Sequence, residues 1–378
     1  MMRLKIVGLL KRYFKYILLG ACLLAVLILE LAHHAYVSKL SPQQFVGRWD
    51  SKEPFAQVSC FFPEDAGMTG ETIMGVERGL AQAMQEASID TSGADGRTLV
   101  DAYSVEETLY VSSLRDGTEV RAFGVSKDFF LFHPLELLDG TYFTREDEAS
   151  DGIILDENVA WQLFGSSHVA GLPVTIGDAT YMVRGVVRAD EGHFSEAAKE
   201  SIPTVYVDFD TMEKLMAVED EMGGSSYAVD CYEILIKNPV SDFGTTTLKN
   251  VMETCGITDY EMVENSTRFE VTARWNRLKN FGARSMNAQG IIYPYWENRA
   301  RAYEDVSTLL LVLELLLLCY PAVMLGRGIL LVWRKRKAIK EFLKNKISGF
   351  FFGIMAPNAK KLYKDVYKSR KTKKNKVE

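Results

Sequence analysis

The sequence predicts an α+β membrane protein: two transmembrane helices flank an external domain of two βαβ halves, with a mostly β subdomain inserted between them. Three observations carry that reading. Long apolar runs lie near both ends, charge is divided sharply between the ends and the middle, and strand and helix periodicities alternate between the runs. With 47% hydrophobic residues over 378 positions, the chain is too apolar to remain disordered.

The runs are Tyr16 to Val37 and Val306 to Trp333. Each supplies the roughly 20 mostly apolar residues that a helix needs to cross about 30 Å of hydrocarbon. Arg3, Lys5, Lys11, Arg12 and Lys15 precede the first run, and Arg334, Lys335, Arg336 and Lys337 follow the second. Positive charge stays on the cytoplasmic side. The chain then divides into a cytoplasmic N-terminus (1–15), a first span (16–37), an extracytoplasmic part (38–304), a second span (305–333) and a basic cytoplasmic tail (334–378). The charge count agrees, because residues 38–304 hold 22 Lys and Arg against 44 Asp and Glu, whereas the remainder holds 22 against 6. The first run reads as a signal anchor and not a cleaved leader, since no small-x-small site follows it: Glu30 precedes Ala32 by two, and His33 precedes Ala35.

In the first half (38–119), Phe55 to Phe62 is an apolar run of strand length. Thr69 stands as an N-cap before Ile73, Val76, Leu80, Met84 and Ala87 at spacings of three and four, which predicts a helix over 69–87. Thr98 to Leu114 follows as one or two strands, with Tyr103, Val105, Leu109 and Val111 facing inward. The second half (211–304) repeats the pattern with a strand over Cys231 to Lys237, a helix over Phe243 to Cys255 and a strand over Tyr260 to Val271. Two such halves commonly share a sheet in a ferredoxin-like arrangement with helices on one face. The block between them (120–210) has candidate strands at 120–125, 152–155, 173–176, 181–187 and 204–209, short helices at 127–132 and 157–164, and a Gly177-Asp178 hairpin turn.

Within that block an ordered set of short motifs occurs over about 65 residues: VSKDFF (125–130), then Leu138, Gly140 and Phe143, ILDE (154–157), Ala160, LFG (163–165), Gly171 with Val174 to Ile176, and VRGVV (183–187). The set resembles the core of a MacB-like periplasmic domain, the extracytoplasmic part of many ABC-transporter permeases. The order of span, external domain and span over about residues 10–335 is similar to that of such permeases. The resemblance implies a membrane subunit whose partners are lipid, a separate ABC ATPase, and a permease partner or second copy. Family permeases continue into two more spans, whereas here only Ile347 to Ala356 is apolar, about half a crossing. It reads as an amphipathic helix on the inner leaflet, beside the lysine-rich stretch 360–376, or as a partner-binding helix or remnant of a lost span.

Motifs for chemistry are absent. No G-x-x-x-x-G-K-[ST], G-x-S-x-G, H-E-x-x-H or EF-hand loop occurs, so no catalytic residue, metal site or cofactor is expected, and no nucleic-acid partner. His33 and His34 are adjacent on a helix and point about 100° apart, which suits anchoring better than joint ligation; His133 and His168 read as structural and His193 as part of a solvated loop. Cys60, Cys231 and Cys255 make an odd external set; buried thiols are favoured over a Cys231–Cys255 pair. Asn265-Ser266-Thr267 matches a glycosylation acceptor. Tyr293, Pro294, Tyr295 and Trp296 resemble an aromatic belt or lie in a folded stalk, and Pro321 interrupts the second span.

Two carboxylates, Glu30 and Glu314, lie within apolar spans where charge is costly. They are either coupling or assembly contacts, with His33, His34 or Arg301 as partners, or wet groups on helices that project outward as a stalk. The function expected is therefore a non-catalytic transporter subunit, with a membrane-anchored sensor or interaction protein as the alternative.

Overall fold

In the computed structural model of the protein, residues 2–49, 54–89, 99–145, 152–189, 202–219, 228–280 and 290–336 are described, together with residues 97, 340 and 347. His193 and the segments 348–356 and 360–376 lie outside the described residues. The chain forms two compact units, one of residues 1–29 with 313–378 and one of residues 30–312.

The first unit is made of parts of two long helices, α1 (Met2–Val37) and the last helix (Tyr295–Arg334). Both are long and apolar enough to cross a membrane. Leu23, Leu24, Leu27, Ile28, Leu316, Leu325, Ile329 and Leu330 stand exposed along them, a surface that water would penalise and hydrocarbon accepts. Tyr320 Oη donates to the Lys15 carbonyl (3.0 Å), tying one helix to the other. The last helix runs through Pro321.

The second unit is built on a ten-stranded sheet of β1 (Phe55–Phe61), β2 (Leu99–Ser112), β3 (Gly117–Val125), β4 (Leu137–Gly140), β5 (Gly152–Asp156), β6 (Pro173–Ile176), β7 (Ala179–Val187), β8 (Thr204–Asp208), β9 (Cys231–Lys237) and β10 (Glu261–Glu264). Their order is β10-β1-β9-β2-β3-β8-β5-β7-β4, and β6 bridges β2 and β7. The first four strands in that order pair antiparallel; β3 pairs β8 in parallel and so does β5 with β7. The segment 99–112 is one strand, long enough to pair β9 along its first half and β3 along its second, which carries a single sheet from the outer strands into the 120–210 block.

Period-two alternation sends side chains to both faces. Ala56, Val58 and Cys60 of β1 and Tyr232, Ile234 and Ile236 of β9 face one core. Over it lie α3 (Gly70–Glu86), α5 (Glu157–Phe164), α6 (Phe209–Glu219) and α7 (Phe243–Thr254), whose inward residues Ile73, Val76, Leu80, Met84, Val159, Leu163, Met212 and Leu248 are buried. Thr69 caps α3, accepting from the Thr72 amide, and Asp156 caps α5, accepting from Val159 (2.7 Å). Gly165 ends α5 in the left-handed region (φ 73°), which glycine adopts without strain.

The opposite face holds a second core rich in aromatic rings. Phe55, Phe61, Phe123 and Tyr206 project from the strands, and α2 (Phe45–Trp49), α4 (Phe129–Phe132) and residues 291–296 close over them. Helices on one face alone are thus only half of the arrangement. Tyr293, Tyr295 and Trp296 are buried here and do not form a lipid-facing belt. The helix expected over 127–132 is the single turn α4: it starts only at Phe129, after a turn at 127–128, and ends at Phe132, where Pro134 disfavours helical backbone at His133. The strand expected over 260–271 is only β10; the polar run Asn265 to Thr267 turns the chain, and α8 (Val271–Lys279) follows. Cys60 faces the first core and Cys231 the second, while Cys255 packs against the first, so the sheet separates the proposed pair; all are free thiols. Burial pushes the Cys60 and Cys231 thiols upward in pKa, which keeps them inert.

Candidate functional site: a buried ion network at the start of the last helix

The last helix, here α9 (Tyr295–Arg334), begins within the aromatic core, and its first turns carry Glu297, Arg301 and Glu304 at spacings of four and three, on one face. Arg268 lies in the turn after β10 and meets that face. Its guanidinium is fully buried and bidentate to Glu297, with Nη1 to Oε2 at 2.6 Å and Nη2 to Oε1 at 2.8 Å, and Nε donates to Glu304 Oε1 (2.5 Å). Arg277 of α8 shares Glu304, and its Nη1 donates to the Arg268 carbonyl (2.9 Å). Arg301 donates to Glu297 (2.6 Å) and to Glu261 of β10 (2.6 Å), with its guanidinium 3.7 Å from the centre of the Tyr293 ring.

The network continues into the sheet. Arg268 Nη1 donates to Asn265 Oδ1 (3.1 Å), Asn265 Nδ2 to Ser59 Oγ (2.8 Å), and Ser59 Oγ to Glu233 Oε1 (3.0 Å), while His133 Nε2 meets Glu233 Oε2. His133 stacks on Phe129 at 4.1 Å and lies 4.4 Å from Trp296. The chain of contacts therefore runs from α4, across β9 and β1, to α9. Asn265 is buried within it, which withdraws the acceptor side chain of the glycosylation triplet from solvent, while Ser266 and Thr267 stay exposed.

A second set of contacts holds the outer ends of the long helices. Arg274 of α8 is buried, donating to Glu30 Oε1 of α1 (3.3 Å) and to the Ser307 carbonyl of α9 (3.2 Å). His33 Nδ1 lies 3.1 Å from Tyr303 Oη, and its Nε2 lies 3.3 Å from the Phe269 carbonyl. His33 thus faces inward as a packing group while His34 stays exposed. Glu30 is held by Arg274, a partner that the sequence reading did not name, and Glu314 is buried on α9.

These groups form an electrostatic lock and not an acid–base apparatus. Burial alone would lower the Arg268 pKa, but the charges and hydrogen bonds of Glu297 and Glu304 outweigh it and the net shift is upward, so its charge is permanent. In the His133, Glu233 and Ser59 chain the carboxylate sits in the middle; the histidine is not placed to take the serine proton, as a nucleophilic triad requires. A cavity of about 570 Å³ elsewhere in the same unit is lined by Glu64, Glu106, Glu107 and Asp230 over Phe62 and Phe123. Among the described residues, no group of three or more His, Cys, Asp and Glu is arranged to hold a metal ion.

Residues 61–240 match the family model of the MacB-like periplasmic core domain. The resemblance read from residues 125–187 is thereby shown. Similar solved structures include the periplasmic region of MacB from Actinobacillus actinomycetemcomitans, at 14% identity over 59% of this chain and 92% of that one, TM-score 0.41. The extracellular domain of the noncanonic ABC-type transporter YknZ from Gram-positive bacteria is 18% identical over 55% and 99%, TM-score 0.37. A domain of a putative permease protein from Porphyromonas gingivalis is 14% identical over 57% and 92%, TM-score 0.35. No curated protein matches the chain. Two helices of spanning length and a match to a periplasmic-type domain model mark a membrane protein with an extracytoplasmic segment.

Proposed function

We propose that the chain is a non-catalytic membrane subunit of the ABC-permease kind, whose external domain contacts substrate or a partner protein and whose helices couple it to a separate ATPase. The single observation that carries this reading is the MacB-like periplasmic core domain over residues 61–240. The buried ion network supports it mechanically, since it joins the central strands to the first turns of α9, and Arg274 joins α8 to both long helices. A movement of the strands would then reach the outer turns of both long helices. The order β10-β1-β9-β2, all antiparallel, with α3 and α7 as crossovers on one face, supports the ferredoxin-like reading of the two halves. The acidic middle and basic ends support cytoplasmic termini with residues 38–304 outside. Glu30 acts in coupling through Arg274, and Glu314 is the candidate for an assembly contact in the membrane.

The test is a mild-detergent pulldown of the tagged full-length protein from its native membrane, with mass spectrometry of what copurifies. Stoichiometric recovery of an ABC ATPase, with or without a four-helix permease, is the expected result. Recovery without any ATPase, repeated after crosslinking, overturns the coupling reading and leaves a membrane-anchored interaction domain.

A further inference from the structure

Helix α8 turns Arg274 and Arg277 inward and leaves Val271, Thr272, Trp275, Asn276 and Lys279 exposed. Val271, Trp275 and Lys279 follow at intervals of four, so they form one stripe along the helix. Val271 is 58% exposed and Trp275 47%, which is unusual for so large an apolar side chain on an otherwise polar helix.

The depth of this stripe is fixed by Arg274. One guanidinium touches Glu30 of α1 and Ser307 of α9, the latter one residue inside the apolar run that begins at Val306. From Glu30 back to Tyr16, where the first apolar run begins, α1 rises about 21 Å at 1.5 Å per residue, so Glu30 lies in the outer part of that run. Arg274 therefore reaches the outer end of the apolar run on α9 and the outer part of the run on α1. Leu31 on α1 and Leu309 on α9 are exposed within one turn of that level.

We infer that α8 is an interfacial helix, seated on the outer leaflet with Val271 and Trp275 in the boundary between headgroups and acyl chains and Lys279 among the headgroup phosphates. The composition suits that layer: an indole is amphipathic and collects at headgroup depth, and a lysine lays its stem on apolar surface while its ammonium reaches phosphate. This goes beyond the transporter reading and does not depend on an ATPase partner. Because Arg277 shares Glu304 with Arg268, the same helix that rests on lipid also closes the ion network.

The full-length protein and its Trp275→Phe variant are reconstituted in phosphatidylethanolamine and phosphatidylglycerol vesicles whose acyl chains are brominated near the headgroup or near the methyl end. The difference between the two emission spectra isolates Trp275. The expected difference spectrum is blue-shifted, quenched more by shallow than by deep bromine, and protected from aqueous iodide. Red emission that iodide quenches and bromine does not would overturn the proposal, as would stronger quenching by deep bromine, which means a helix buried in the acyl core. Protection from iodide without bromine quenching, growing with protein density in the vesicle, assigns the stripe to a second copy and overturns it equally. An unchanged melting temperature for Trp275→Phe confirms that the fold is intact in the comparison.

Discussion

Arg268 shows what single residues contribute here. Its charge is buried and satisfied on every side by Glu297, Glu304 and Asn265. Truncating Arg268 removes two hydrogen bonds from Glu297 and one from Glu304 and leaves each buried carboxylate with one remaining guanidinium, Arg301 or Arg277; breaking a buried pair of this kind costs about 3–5 kcal/mol. Arg268→Ala is therefore expected to lower the unfolding free energy of the external unit by about that amount, read from denaturant titration. Asp230 works in the opposite sense. Burial, with the charges of Glu106, Glu107 and Glu64 adding to it and the Glu106 amide opposing it, pushes its carboxyl up to about 7. The folded state then holds a proton that the unfolded chain releases at about 3.9, so the contribution of Asp230 to stability is full below about 4 and is lost as pH rises through 7. The melting temperature should fall from pH 5 to pH 8, and Asp230→Asn should flatten that slope; a wild-type profile that rises over this window would refute the assignment.

At the scale of elements, caps and turns were written plainly. Asp156 accepts from the Val159 and Thr204 amides (2.7 Å each), so it both caps α5 and fastens β8 beside β5. Asp156→Ala is expected to cost about 1–2 kcal/mol for the cap, and more for the orphaned Thr204 amide, measurable as a shift in denaturation midpoint. Gly140 has a positive φ (73°), and a Cβ there would overlap the Arg184 carbonyl oxygen. Gly140→Ala should therefore break the pairing of β4 with β7, which hydrogen exchange of the Thr141 amide reports, since that amide donates to Arg184 (3.1 Å). Thr69, the α3 periodicity, the α5 ends and the Gly177 turn were all readable because each is a local pattern of a few residues. The split of 260–271 into β10, a turn and α8 was not, because Arg268 and Arg274 belong to partners far along the chain.

For the whole molecule, the apolar runs were enough to find two helices of spanning length, since some 20 consecutive apolar residues are a composition signal that needs no long-range partner. The family resemblance was also in the sequence, carried by an ordered set of turn glycines and apolar strand ends. The second core was not. Alternation shows that a strand has two faces, but only packing decides whether the other face meets water or a lid, and here Phe129, Phe132, Tyr293, Tyr295 and Trp296 supply the lid. The ion network escaped for a related reason. The helical spacing of Glu297, Arg301 and Glu304 puts them on one face but does not say what covers it, and a turn some thirty residues earlier buries that face. Sequence alone determined which segments are long and apolar enough to leave water and most of the strands and helices between them, because those follow from composition and short-range periodicity. The tertiary structure decided which charges are buried together, because that depends on long-range pairing whose partners no local pattern names.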